Sequence, residues 1–165
     1  MGILLASTAV GAFLAGLFSG PLGGVRWQGS AVVFSVMGWG ASIAGFGLVV
    51  LLAGRSPDGG MTPWLLPAAL CCALAGIADS ISSVFRNTIL QAATPDHLRG
   101  RLQGVFIVVV AGGPRIGDLL AGGATKIVAE GWVLLIGGFL CIAGAWAAAK
   151  LQPGFRNYDA RNPVP

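Results

Sequence analysis

Charge is what this sequence has least of. Only 10% of its 165 residues are Asp, Glu, Lys or Arg, against about a quarter in an ordinary soluble domain. A surface wetted by charge in the usual way is excluded. There is one histidine, His97, and it sits alone in a polar connection, so no histidine-based metal site can be assembled. The three cysteines, Cys71, Cys72 and Cys141, lie inside apolar runs without CxxC or other metal-ligand spacing. They read as small packing residues rather than a disulfide framework or metal ligands. No GxSxG, HExxH or DxxxD-like constellation occurs, and GGPRIGD at 112–118 is neither a phosphate-binding loop nor a dinucleotide fingerprint. The expectation is a chain that is not an enzyme and carries no cofactor or metal.

What the chain has in excess is apolar length and glycine: 55% hydrophobic residues and 27 Gly. Together these predict an all-α membrane protein whose helices meet through small side chains and whose first partner is the lipid bilayer. Five uncharged or nearly uncharged runs satisfy the span length, at about 1–22, 31–53, 63–90, 102–123 and 132–150. They predict five transmembrane helices forming one bundle over 1–151. The polar, proline-bearing tail at 152–165 is expected to be disordered and in water. The net charge of +4 is spread over connections. It orients the chain in a membrane and does not signify nucleic-acid binding.

The first run lacks the basic start of a signal peptide, and its Gly11, Gly16 and Gly20 offer a small face for helix contact, Gly16 and Gly20 in GxxxG spacing. The second run holds no ionisable residue and suits lipid contact, and the fifth, which ends at Lys150, has no internal charge. The third and fourth differ. Asp79 and Arg86 stand in the third run, and Arg115 and Asp118 in the fourth. A charge at bilayer depth is unfavourable by at least a few kcal/mol on insertion scales, so such residues normally face protein or a water-filled cavity. Helical spacing places Cys72, Gly76, Asp79, Ser83 and Arg86 near one stripe, with Ser82 at its edge. An extended Arg86 reaches Asp79 two turns away, and partners on other helices serve equally well.

Between these runs Thr94, Pro95 and Asp96 suit the cap, first position and first turn of the fourth helix. Arg99 and Arg101 follow at the membrane surface. Within the fourth helix Gly112, Gly113 and Pro114 predict a kink or local unwinding beside Arg115 and Asp118.

Lys and Arg divide unevenly over the two sides. Arg26, Arg86, Arg99, Arg101, Lys150, Arg156 and Arg161 fall on one side, Arg55 and Lys126 on the other, with Arg115 between. The positive-inside rule makes the first side cytoplasmic, with the amino terminus outside. That entry without a flanking signal predicts an upstream portion beyond this sequence.

The segment ADSISSVFRNTILQAATPDHLRGRLQGVFIVVVAGGPRIGD, from Ala78 to Asp118, resembles the region of the tenth and eleventh helices in exporters of the major facilitator superfamily, in the branch that contains the enterobactin exporter and many actinobacterial efflux proteins. RNTILQAATPDHLRGRLQGV is its most specific part. The resemblance implies the carboxy-terminal helices eight to twelve of a twelve-helix, proton-coupled antiporter in the cell membrane. Siderophore or drug efflux would be its task. The implied partners are the missing amino-terminal half and a small-molecule substrate. The first, third and fourth helices would border the cavity, with connections 23–30 and 91–101 cytoplasmic and Arg26, Arg99 and Arg101 in them. SGPLGGVRWQG keeps Gly20, Arg26 and Gly29 of the family's loop but lacks its acid, so no charge relay is expected there. Alone, five helices are not expected to transport. Two other readings stay open: a small membrane scaffold or subunit, and a non-functional truncated remnant. Asp79, Arg86, Arg115 and Asp118 carry either proton coupling or the plainer work of fastening helices together.

Overall fold

A computed structural model describes residues 2–17, 20, 27–54 and 62–152. Among them the chain is helical throughout, apart from its connections. In order come α1 (Gly2–Leu17), α2 (Gln28–Ala53), α3 (Thr62–Ala93), α4 (Arg99–Ala124) and α5 (Glu130–Leu151), with a short 3-10 turn, Asp96–Leu98, ahead of α4. Four of the five are long and apolar enough to cross a membrane, and α1 is a shorter apolar helix of 16 residues. At 1.5 Å per residue the 26 residues of α2 and of α4 each rise about 39 Å, which exceeds a hydrocarbon core of roughly 30 Å. Arg26, connection 55–61 and the tail from 153 lie outside the described residues.

Three interfaces join four of these helices in the order α1, α3, α2, α5. Glycine makes two of them close. On α1 Gly11 lies against the carbonyl of Ala73 on α3, while Gly76 of α3 lies against the carbonyl of Thr8, so a side chain at either glycine meets backbone. On the other side of the layer Gly40 and Gly47 of α2 cross Gly138 and Gly131 of α5. A Cβ added at Gly138 would sit 2.5 Å from the Gly40 oxygen, and one at Gly47 would sit 2.7 Å from the Gly131 oxygen. The Cys141 thiol adds a 3.8 Å contact to the Val36 carbonyl across the same seam. Lipid tails are as apolar as Leu, so such close approach, and not water exclusion, is what holds membrane helices together. Between α2 and α3 the contacts are looser, with Gly45 facing the Cys71 sulfur and Gly38 facing Ala78.

Two expectations are corrected here. The small face of the first run does not engage as a GxxxG pair: Gly11 is the residue in contact, and a Cβ at Gly16 or Gly20 meets nothing within 4 Å. Nor does Thr94 cap the fourth helix. Its hydroxyl donates backwards to the Leu90 carbonyl at 2.5 Å, closing the end of α3, and the helix after it starts at Arg99 behind Leu98 without a side-chain cap. Pro95 starts the 3-10 turn instead, its carbonyl accepting from the Leu98 amide at 3.0 Å. A threonine at the end of a helix can reach its own preceding turn more cheaply than it can await the next one.

The remaining helix, α4, has no packed interface with α1, α2, α3 or α5 and contains no buried residue.

Candidate functional site

The polar half of α3 is satisfied largely by its own backbone. Asn87 donates its amide to the Ser83 carbonyl at 3.0 Å, Thr88 its hydroxyl to Val84 at 2.9 Å, and Arg86 its Nε to Ser82 at 3.3 Å. Such bonds, one turn back, let polar side chains exist on a membrane helix without a partner from elsewhere. Arg86 extends further along the same line, and its Nη2 stands 3.6 Å from Oδ1 of Asp79. Two turns of helix are thus spanned by one long side chain. The pair is not sealed: the Asp79 side chain is 67% exposed and that of Arg86 33%. Beside it Phe85 and Ser82 are each 2% exposed, and the Ser82 hydroxyl finds no hydrogen-bond partner among the described residues. Gly76 belongs to the α1 interface, so the predicted polar stripe divides into a packed glycine below and an open ion pair above.

The second pair is arranged otherwise. Arg115 and Asp118 lie three residues apart on α4, both exposed, and neither forms an ion pair among the described residues. Of the kink or local unwinding expected at Gly112, Gly113 and Pro114, the unwinding does not occur, since α4 stays helical through them. A Cβ at Gly112, Gly113, Gly117, Gly122 or Gly123 would meet nothing within 4 Å. At the start of α4 Arg99 and Arg101 are exposed, and Nη2 of Arg99 donates to the Gln91 carbonyl at 3.4 Å, tying the connection together. The structure therefore brings Asp79 and Arg86 together and leaves Arg115 and Asp118 apart from them. Arg26 falls outside the described residues.

His97 is exposed in the 3-10 turn, and no group of three or more His, Cys, Asp or Glu that could hold a metal occurs among the described residues. Two features were missed by sequence reasoning. One is the seven-residue spacing shared by Gly40 with Gly47 and Gly131 with Gly138, a two-turn repeat that was legible and marks the α2–α5 seam. The other is Lys150, whose ammonium lies 3.8 Å from the centroid of the Trp146 ring. An i, i+4 Trp and Lys at a helix end is its signal.

Four of the described helices are long and apolar, and two of them, α3 and α4, carry ionisable groups along their length. No family model and no solved structure matches the chain. Curated proteins do, and those it resembles are enterobactin exporters. It is 29% identical over all 165 of its residues to the enterobactin exporter EntS of Citrobacter koseri, of which it covers 36%. To the enterobactin exporters EntS of Escherichia coli O81 and Shigella flexneri it is 31% identical over 149 residues, which is 86% of this chain and 33% of each relative. The chain spans about a third of the length of these curated relatives.

Proposed function

We propose that these five helices are the carboxy-terminal part of a secondary active transporter, a proton-coupled exporter of small molecules, with a siderophore as its favoured cargo. The observation that carries this reading is the alignment of the whole chain with an enterobactin exporter. The partner it requires is the remainder of that kind of transporter, so the chain by itself does not move substrate. Its amino terminus lies outside and its carboxyl terminus in the cytoplasm, in keeping with the excess of Lys and Arg on one side.

In this reading Asp79 is the proton-responsive group and Arg86 its resting counter-ion. With the carboxylate ionised, the 3.6 Å pair is formed; protonation neutralises Asp79 and frees the guanidinium, so that one proton changes which partners Arg86 favours. Asp118 on α4 is the alternative partner for the freed Arg86, and Arg115 the alternative counter-ion for an ionised Asp79. Asp79 lies 14 residues before the end of α3 and Arg115 lies 16 after the start of α4, or about 21 and 24 Å along their helices from the shared connection. Both groups therefore lie at similar depth in a pair of spans that cross in opposite directions. Asp118 lies one turn beyond Arg115 and competes for it.

The test is efflux from cells lacking a siderophore exporter of their own. Expressed alone, the 165 residues should give no export; expressed with the reading frame that precedes them in their genome, they should restore it. In that active assembly Asp79→Asn should abolish export at an unchanged level of membrane-inserted protein. Full export by the Asn variant would refute the coupling role, and loss of inserted protein would make Asp79 a fastener instead.

A further inference from the structure

The ends of α2 and α5 that carry Gln28 and Lys150 meet in antiparallel register, as the crossings of Gly40 with Gly138 and Gly47 with Gly131 require. On one flank of that seam is an apolar groove of about 260 Å³ lined by Ser30, Val33, Phe34, Met37, Trp146 and Ala149. It is open on the outside: Phe34 is 72% exposed and Trp146 54%. At its mouth the Lys150 ammonium lies over the Trp146 ring, 3.8 Å from the centroid. Trp27 stands at the same end, just ahead of α2. Two indoles and a lysine at one end of two apolar spans mark the level of the lipid headgroups. The groove below them runs along the helices into acyl-chain depth.

We propose that this groove binds one anionic phospholipid, its phosphate on Lys150 and an acyl chain laid along Val33, Phe34 and Met37. Charge selects the occupant. An ammonium has three donors and the indole face engages it without accepting a conventional hydrogen bond from each, so N–H groups remain for a phosphate. Ser30, in the first turn of α2, places the positive end of that helix beside the same mouth. The other flank of the seam supplies a control within the molecule. There a groove of about 320 Å³, lined by Val32, Val36, Ala145 and Ala148 among others, has only the neutral Gln152 as its polar group. It offers apolar contact to any lipid and discriminates none. This site is independent of substrate movement and of the charges on α3 and α4.

The experiment is lipid retention by the purified 165-residue chain in nanodiscs made from equal amounts of dioleoyl phosphatidylglycerol and dioleoyl phosphatidylcholine, followed by native mass spectrometry of the released protein. The wild type should retain phosphatidylglycerol over phosphatidylcholine about fivefold, the effect of roughly one basic side chain near a membrane surface. Lys150→Gln should remove that preference, Lys150→Arg should keep it, and Lys126→Gln, at the opposite membrane face, should leave it unchanged. Trp146→Ala should lower retention of both lipids. Glycerol phosphate added in excess should not displace the lipid; displacement would assign the site to a soluble phosphate and overturn the proposal. Equal retention of the two lipids by the wild type, or an unaltered preference in Lys150→Gln with its helices intact by circular dichroism, would overturn it as well.

Discussion

Glycines on α2 and α5 and glycines on α4 have the same chemistry and opposite circumstances. At Gly40, Gly47, Gly131 and Gly138 an added Cβ comes within 3.0 Å of the neighbouring helix. At Gly100, Gly104, Gly112, Gly113, Gly117, Gly122 and Gly123 it comes near nothing. The first set explains an interface that is present. The second lies on a helix rich in small residues that has no packed interface with another helix among the described residues, and it is the same helix that carries Arg115 and Asp118. Small residues and intramembrane charges both have their use against protein. Their coincidence on a helix without a buried residue separates the described residues into a packed layer and an unpacked helix.

Breaking that comparison starts with the charge. Arg115→Leu should improve insertion of α4 as an isolated span by about 3–4 kcal/mol, read by glycosylation mapping in microsomes; no change would mean that the arginine already escapes the hydrocarbon. Next comes the packed seam. Gly138→Leu should destabilise the chain by about 1–3 kcal/mol, as overpacking does, seen as an earlier unfolding midpoint in a detergent titration. The equivalent change on α4, Gly113→Leu, should not lower that midpoint in the 165-residue chain but should lower export in the transport-active assembly, which sharpens the contrast. A double-mutant cycle over Asp79→Asn and Arg86→Gln should return a coupling below about 1 kcal/mol, as expected for a pair this open to its surroundings. Smallest of all, Gly113→Ala should raise helix stability by about 0.5 kcal/mol, measured by the same titration, because its new methyl group meets no neighbour.

Much of this was legible beforehand, and unevenly so. Apolar run length located all five helices, because a span must be long and nearly uncharged whatever it packs against. The ion pair on α3 was readable as one of two arrangements, since i, i+7 spacing lets a long arginine reach back along its own helix. Side-chain pattern alone did not decide between this and a partner elsewhere. The end of α3 was misread because Thr94 suits two bonds equally well by residue type, one forward and one back. Gly16 and Gly20 satisfied a contact motif without a helix to meet, whereas Gly40 and Gly47, seven apart, met one. Glycine spacing says which residues share a face; what stands opposite that face is set by the order of helices in the layer. Of the kink or unwinding expected at Pro114, unwinding is absent, because loss of one backbone donor is absorbed without opening the turn.

The layer places α1 against α3 and not against α2, its successor in the chain. Synthesis at roughly 5–20 residues per second therefore leaves α1 without this contact for some seconds, until the stretch holding Ala73 and Gly76 has left the ribosome. Among the described residues α1 therefore gains its packed contact at a distance in sequence, across the whole of α2, and not from the helix that directly follows it.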